Sequence, residues 1–406
     1  MGVLLQLCLG TVYAWSYFQK PLVAVYGCSH SQVAWGFSLA ICCLGLAAAW
    51  GGLNLKRFGP KRLAMAGGLL YALGYLIAGL AIAGRSLLWL YLGFGVVGGI
   101  GLGLGYVTPI ATVAGWFPDR KGLATGMVVM GFGLGALIMA KIIAPVLMAK
   151  TGQNLAHVFF WICGIILVVA LPAAACLQNA PETKASPPAG GKPTASAWVA
   201  LKSRAFVLMW IIFFINITVG IMFIGFQSPM LQDLIHAQNP ALTAVTLSAA
   251  GATLIAISSL FNGFGRLFWG AVSDRLGQIR VFRLILISQI FVFAALAVVR
   301  EPWLFGTLVC YVLLCYGGGF GAMPSFTGVM FGQSRMPAVY GMILTAWSAA
   351  GIAGPQLAAF IKDHYAGQAG RLTFITAALL LLAGAALSFL LRARASPGTT
   401  DRPDCG

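Results

Sequence analysis

The sequence predicts an all-α membrane protein of twelve transmembrane helices in two pseudo-symmetric six-helix bundles. Three observations carry that expectation. Of 406 residues, 60% are hydrophobic and 8% charged, with a mean hydropathy of +0.92, a balance that excludes a soluble globule. Polar breaks divide the chain into twelve apolar runs long enough to cross a hydrocarbon core of about 30 Å. A polar stretch then splits these runs six and six, and the two halves share a pattern.

The first run, 3–26, begins almost at Met1 and continues through aromatic residues. It is too long for a removable signal peptide and lacks the small-residue cleavage site. Runs at 33–54 and 62–84 flank a basic stretch, and those at 87–109, 122–149 and 156–178 complete the first half. Tiny residues from Gly95 to Gly105 suit helices whose backbones approach closely. Asn179 to Ala200, with Pro181, Pro187, Pro188 and Pro193, reads as a flexible, solvated linker. The second half holds runs at 204–231, 243–273, 281–299, 303–330, 338–361 and 371–391. The expected organisation is a bundle at 1–178, a cytoplasmic linker at 179–202, a bundle at 203–392 and a cytoplasmic tail at 393–406. Pro109, Pro145, Pro324 and Pro355 weaken their helices locally, as static curvature or as moving bends.

The net charge of +17 is a matter of topology rather than of nucleic-acid binding. Seventeen of the 25 basic residues, among them Lys56, Arg57, Lys61, Arg62, Arg275, Arg280 and Arg283, fall on one side of the alternating spans. That bias places both termini and the central loop in the cytoplasm; the expected location is the inner membrane of a prokaryote. The nine cysteines show no CxxC or metal-ligand spacing, and Cys8, Cys42, Cys43, Cys163 and Cys310 read as small apolar packing residues. No Walker loop and no paired metal-ligand histidines appear, so neither a cofactor, a metal nor an enzymatic activity is expected.

An internal repeat relates the halves. Gly52-Leu-Asn-Leu-Lys56-Arg57-Phe-Gly59-Pro-Lys61 returns 218 positions later as Gly270-Ala-Val-Ser-Asp274-Arg275-Leu-Gly277, with Arg280 beyond. Pro109, Thr112, Trp116, Arg120, Gly126 and Met127 return 215 positions later as Pro324, Thr327, Phe331, Arg335, Gly341 and Met342. The pattern G-x-x-x-D-R-x-G-x-x-R, complete in the second copy, resembles the signature loop of the major facilitator superfamily. In such proteins the loop is a cytoplasmic gate latch, which implies gating roles for Lys56, Arg57, Gly59, Asp274, Arg275, Gly277 and Arg280. Lys56 stands where the family usually has an acid, a departure that bears on the first copy. Gly10-Thr-Val-Tyr-Ala-Trp-Ser-Tyr-Phe, Asn262-Gly-Phe-Gly-Arg-Leu-Phe-Trp-Gly and Tyr340-Gly-Met-Ile-Leu-Thr-Ala-Trp-Ser are similar to the oxalate/formate antiporter branch, related to the monocarboxylate transporters.

Arg266 is the residue on which function turns. It lies eight residues inside the water-facing Asp274, hence ~12 Å deep at a helical rise. A guanidinium there costs roughly 2.5–3.5 kcal/mol and cannot lose its proton. No nearby carboxylate neutralises it; it is either satisfied by backbone carbonyls or it pairs with a carboxylate that comes and goes. The resemblance implies the second role. Asn262, one turn earlier on the same face, is neutral where animal monocarboxylate transporters have an aspartate; it either bonds between helices or serves the site. Trp347 stands where the oxalate-exchanging branch has a lysine, leaving one central cation, which matches a monocarboxylate better than a dianion. Tyr13 and Tyr17, Tyr106, and Tyr316 with Phe320 are expected to close an aromatic cage, with Lys141 and Lys20 as rival cations nearer the outer surface. The resemblance implies a monomeric secondary carrier of small monocarboxylates, lactate- or pyruvate-like, by alternating access and with H+ as partner. The alternatives are oxalate/formate-type antiport and a membrane carboxylate sensor that moves nothing.

Overall fold

In lipid a backbone has no water to satisfy its N–H and C=O groups, and a helix satisfies them within itself. The computed structural model describes residues 1–117, 121–178, 200–332, 335–365 and 368–391, and all regular structure in them is helical. Eleven helical stretches are long and apolar enough to cross a membrane. They are spans 2 to 12: His30–Leu55, Pro60–Ala83, Leu87–Val113, Ala124–Lys150, Leu155–Ala175, Arg204–Gln238, Ala244–Leu276, Gln278–Leu296, Pro302–Phe331, Ala338–His364 and Ala369–Ser388. Most of the expected linker (179–199) and the tail lie outside the described residues.

Span 1 departs from the unbroken run that the sequence predicts. Gly2–Gly10 is α-helical, Thr11–Ala14 tightens into a 3₁₀ turn, and Trp15–Tyr26 resumes the helix. The Thr11 hydroxyl donates to the Cys8 carbonyl at 2.7 Å and lies 3.0 Å from the Tyr71 hydroxyl. Such side-chain bonding to the preceding turn competes with the α ladder. Two further irregularities are π turns, Tyr91–Gly98 in span 4 and Met139–Ile143 in span 5. The second widens the helix just before Pro145, which has no N–H to offer the ladder.

The repeat is visible in the backbone. Gly59 has φ 77 and ψ 160, and Gly277 has φ 85 and ψ 144; each ends one long helix and opens the next. Positive φ is open to glycine at little cost, which accounts for glycine at both positions. Around these turns Arg57 is exposed over the Phe58 ring at 5.3 Å. Asp274, Arg275 and Arg280 are exposed, and no ion pair joins them among the described residues. The side chain of Lys56 lies outside the described residues.

The halves meet along three seams, span 2 against span 11, span 5 against span 8, and span 1 against span 7. Close approach is possible where side chains are missing. A Cβ on Gly133 of span 5 would stand 2.7 Å from Gly263 of span 8. One on Gly321 of span 10 would strike the Arg266 carbonyl, so span 10 lies directly on span 8. Along the first seam, Ala49 faces Gly341 near the glycine-turn end, Ile41 faces Gly351 midway, and Ser31 donates to Asp363 at the opposite end.

Candidate substrate site

Where the seams cross, Arg266 is fully buried. Its Nε donates to Asn262 Oδ1 at 3.4 Å, so the amide one turn back orients the guanidinium. Two phenyl faces flank the charge, Phe320 at 5.0 Å and Phe132 at 5.7 Å. Ring quadrupoles of this kind stabilise a desolvated cation by ~2 kcal/mol. No carboxylate pairs with Arg266 among the described residues; the ion pairs there are formed elsewhere.

Around the guanidinium stands an aromatic cage built from both halves. The Tyr13 and Tyr316 hydroxyls share a hydrogen bond of 2.6 Å that crosses the seam. Trp347 packs against Phe320 at 4.6 Å, Tyr106 at 5.0 Å, Phe132 at 5.8 Å and Tyr13 at 6.4 Å. All five rings are essentially without solvent contact. Among the described residues, no hydrogen bond of ordinary geometry ends on Arg266 Nη1 or Nη2, on the Tyr106 and Tyr340 hydroxyls, or on Trp347 Nε1. The phenols of Tyr13, Tyr106, Tyr316 and Tyr340 all stand within electrostatic reach of the guanidinium. The centre is therefore rich in buried donors, and chemistry of this kind recognises an anion.

The expected residues Arg266, Asn262, Tyr13, Tyr106, Tyr316, Phe320 and Trp347 come together here. Tyr17 does not: it is half-buried, and its ring packs on Phe18 at 5.2 Å. The 3₁₀ turn shifts the helical register between Tyr13 and Tyr17, so a four-residue spacing does not put both on one face. Phe132 and Tyr340 also belong to the cage, beyond the residues expected from sequence. Tyr340 precedes Trp347 by seven residues, two helical turns, which is the signal that marks it.

The rival cations lie at the end away from the glycine turns. Lys20 and Lys362 hold the two oxygens of Asp233 at 3.0 and 2.9 Å, joining spans 1, 7 and 11. Lys141 is exposed and donates to Thr253 at 2.6 Å. Among the described residues, Arg266 is thus the one cation inside the cage.

A family model, "Major Facilitator Superfamily", matches residues 2–355. The chain is a member of the Major Facilitator Superfamily. This superfamily member is 30% identical over 345 residues to an uncharacterised MFS-type transporter, YhjX, of Escherichia coli, covering 84% of this chain and 82% of the relative. It is 26% identical to the oxalate:formate antiporter of Oxalobacter formigenes, over 94% of this chain and 88% of that one. Monocarboxylate transporter 13 of Bos taurus is 24% identical over 95% and 86%. Among solved structures, an inward-facing bacterial homologue of the human lysosomal transporter Spinster superposes with a TM-score of 0.71 at 16% identity, covering 96% of this chain and 95% of that one. The protein is thus a multi-pass membrane transporter of the major facilitator fold.

Proposed function

We propose that the protein is a secondary carrier of small monocarboxylates, lactate- or pyruvate-like, working by alternating access with H+ as the coupled ion. On this reading it acts as a monomer in the cytoplasmic membrane of a prokaryote, with both termini in the cytoplasm. One observation carries the proposal: among the described residues no carboxylate pairs with the buried Arg266, and no hydrogen bond of ordinary geometry ends on its Nη1 or Nη2, which lie among the buried phenols of Tyr106 and Tyr340. A single-charged carboxylate would neutralise the guanidinium and accept from those donors. A dianion would bring a second negative charge into a cage with one cation. The oxalate- and monocarboxylate-transporting relatives support the substrate class.

Purified protein in liposomes tests the reading. Labelled lactate is expected to accumulate under an inward proton gradient without counter-anion inside. Uptake that ignores the gradient and requires internal formate or oxalate would replace symport with exchange. Absence of carboxylate flux under both conditions would overturn the proposal.

A further inference from the structure

Away from the central cage, a cavity of ≈480 Å³ opens at the Lys20 end of the second half, between spans 7, 9, 10, 11 and 12. Leu296, Phe305 and Phe374 make one wall apolar. Arg371, Lys362 and Thr373 line the other side. Arg371 forms no ion pair among the described residues. Lys362 is bound on one side only, to Asp233. Thr373 is 2% exposed, and its hydroxyl has no hydrogen-bond partner among the described residues. The first turn of span 12, from Ala369 to Arg371, also lines the space, and its N-cap Gln368 supplies no side-chain bond. Among the described residues no side chain caps the positive end of that helix.

Asp233 is the carboxylate that lines this space, and Lys20 and Lys362 already occupy both of its oxygens. The remaining balance is positive, a buried hydroxyl is unsatisfied, and the volume lies within the ~300–1,000 Å³ typical of small-molecule sites. We propose that this cavity binds an anionic amphiphile. Its carboxylate or phosphate head sits at Arg371, Thr373 and the start of span 12, and a short apolar body lies against Leu296, Phe305 and Phe374. A head that draws on Lys362 competes with Asp233. Occupancy thereby loosens the Lys20–Asp233–Lys362 bridge that joins the two halves and tunes how readily this end opens.

Octanoate titrated calorimetrically onto purified protein in neutral phosphatidylcholine nanodiscs tests the site. Wild type is expected to bind, and Arg371→Gln and Thr373→Val are each expected to weaken binding about tenfold, as for loss of one hydrogen bond to a charged group. Arg266→Gln is expected to bind octanoate as wild type does. Nanodiscs containing phosphatidylglycerol distinguish the source of the head. Weaker octanoate binding there, relieved by Arg371→Gln, assigns a lipid occupant; unchanged binding assigns a free amphiphile. Absence of octanoate binding in neutral discs, or binding indifferent to both cavity substitutions but lost with Arg266→Gln, overturns the proposal.

Discussion

Arg266 holds its charge between two phenyl faces and an amide, and the planar fork of its guanidinium suits a carboxylate held by two parallel bonds. A lysine at this position keeps the charge but loses the paired donors, so Arg266→Lys is expected to reduce lactate uptake by about tenfold or more. Arg266→Ala is expected to abolish it while the purified protein still elutes as one folded species. Uptake by the alanine variant at the wild-type rate would remove Arg266 from the site. Trp347 decides charge count: Trp347→Lys supplies a second cation, and oxalate should then compete better than unlabelled lactate against labelled lactate uptake. Tyr340→Phe removes a buried hydroxyl beside Tyr106 and Arg266 and is expected to raise the apparent KM about tenfold with little change in kcat.

Spans 8 and 10 touch through backbone, which makes their contact intolerant of added volume. Gly321→Ala would drive a methyl into the Arg266 carbonyl and part the two helices. Overpacking of this kind costs ~1–3 kcal/mol, so a lower unfolding temperature in detergent and loss of uptake are expected together. Gly306→Ala on the same span, where a Cβ would meet Leu254 at an ordinary 3.5 Å, is expected to leave both unchanged. Equal behaviour of the two variants would refute the close-contact account. The broken first span acts at this scale too. Its 3₁₀ turn delivers Tyr13 to Tyr316 across the seam and carries Tyr17 away from the cage.

Across the whole molecule, alternating access requires the seams to part at one end at a time. Lys20, Asp233 and Lys362 bridge the halves at the end away from the glycine turns, with Ser31 and Asp363 beside them. A Ser31→Cys, Asp363→Cys pair is expected to form a disulfide on oxidation and to arrest uptake, with recovery on reduction. Adding Asp233→Asn should slow that cross-linking about two- to fivefold, the small effect appropriate to half-exposed ion pairs. Cross-linking that leaves uptake intact would show that this end need not open.

Membrane class, the number of spans, the two related halves and the isolation of Arg266 were all legible in the sequence. Each arises from local quantities: run length, hydropathy, the spacing of glycines and charges, and the absence of an acid one turn from a buried cation. Asn262 was legible from its place one turn before Arg266, whereas Tyr316, Phe320 and Trp347 were reached through the resemblance to the oxalate/formate antiporter branch. The structure alone decided which spans face one another. It paired Lys20 with Asp233, 213 residues away, brought Phe132 and Tyr340 to the cage, and removed Tyr17 from it. Helical periodicity orients a side chain on its own helix, but the neighbour it meets is chosen by packing between helices, where a missing Cβ or a tightened turn shifts the contact.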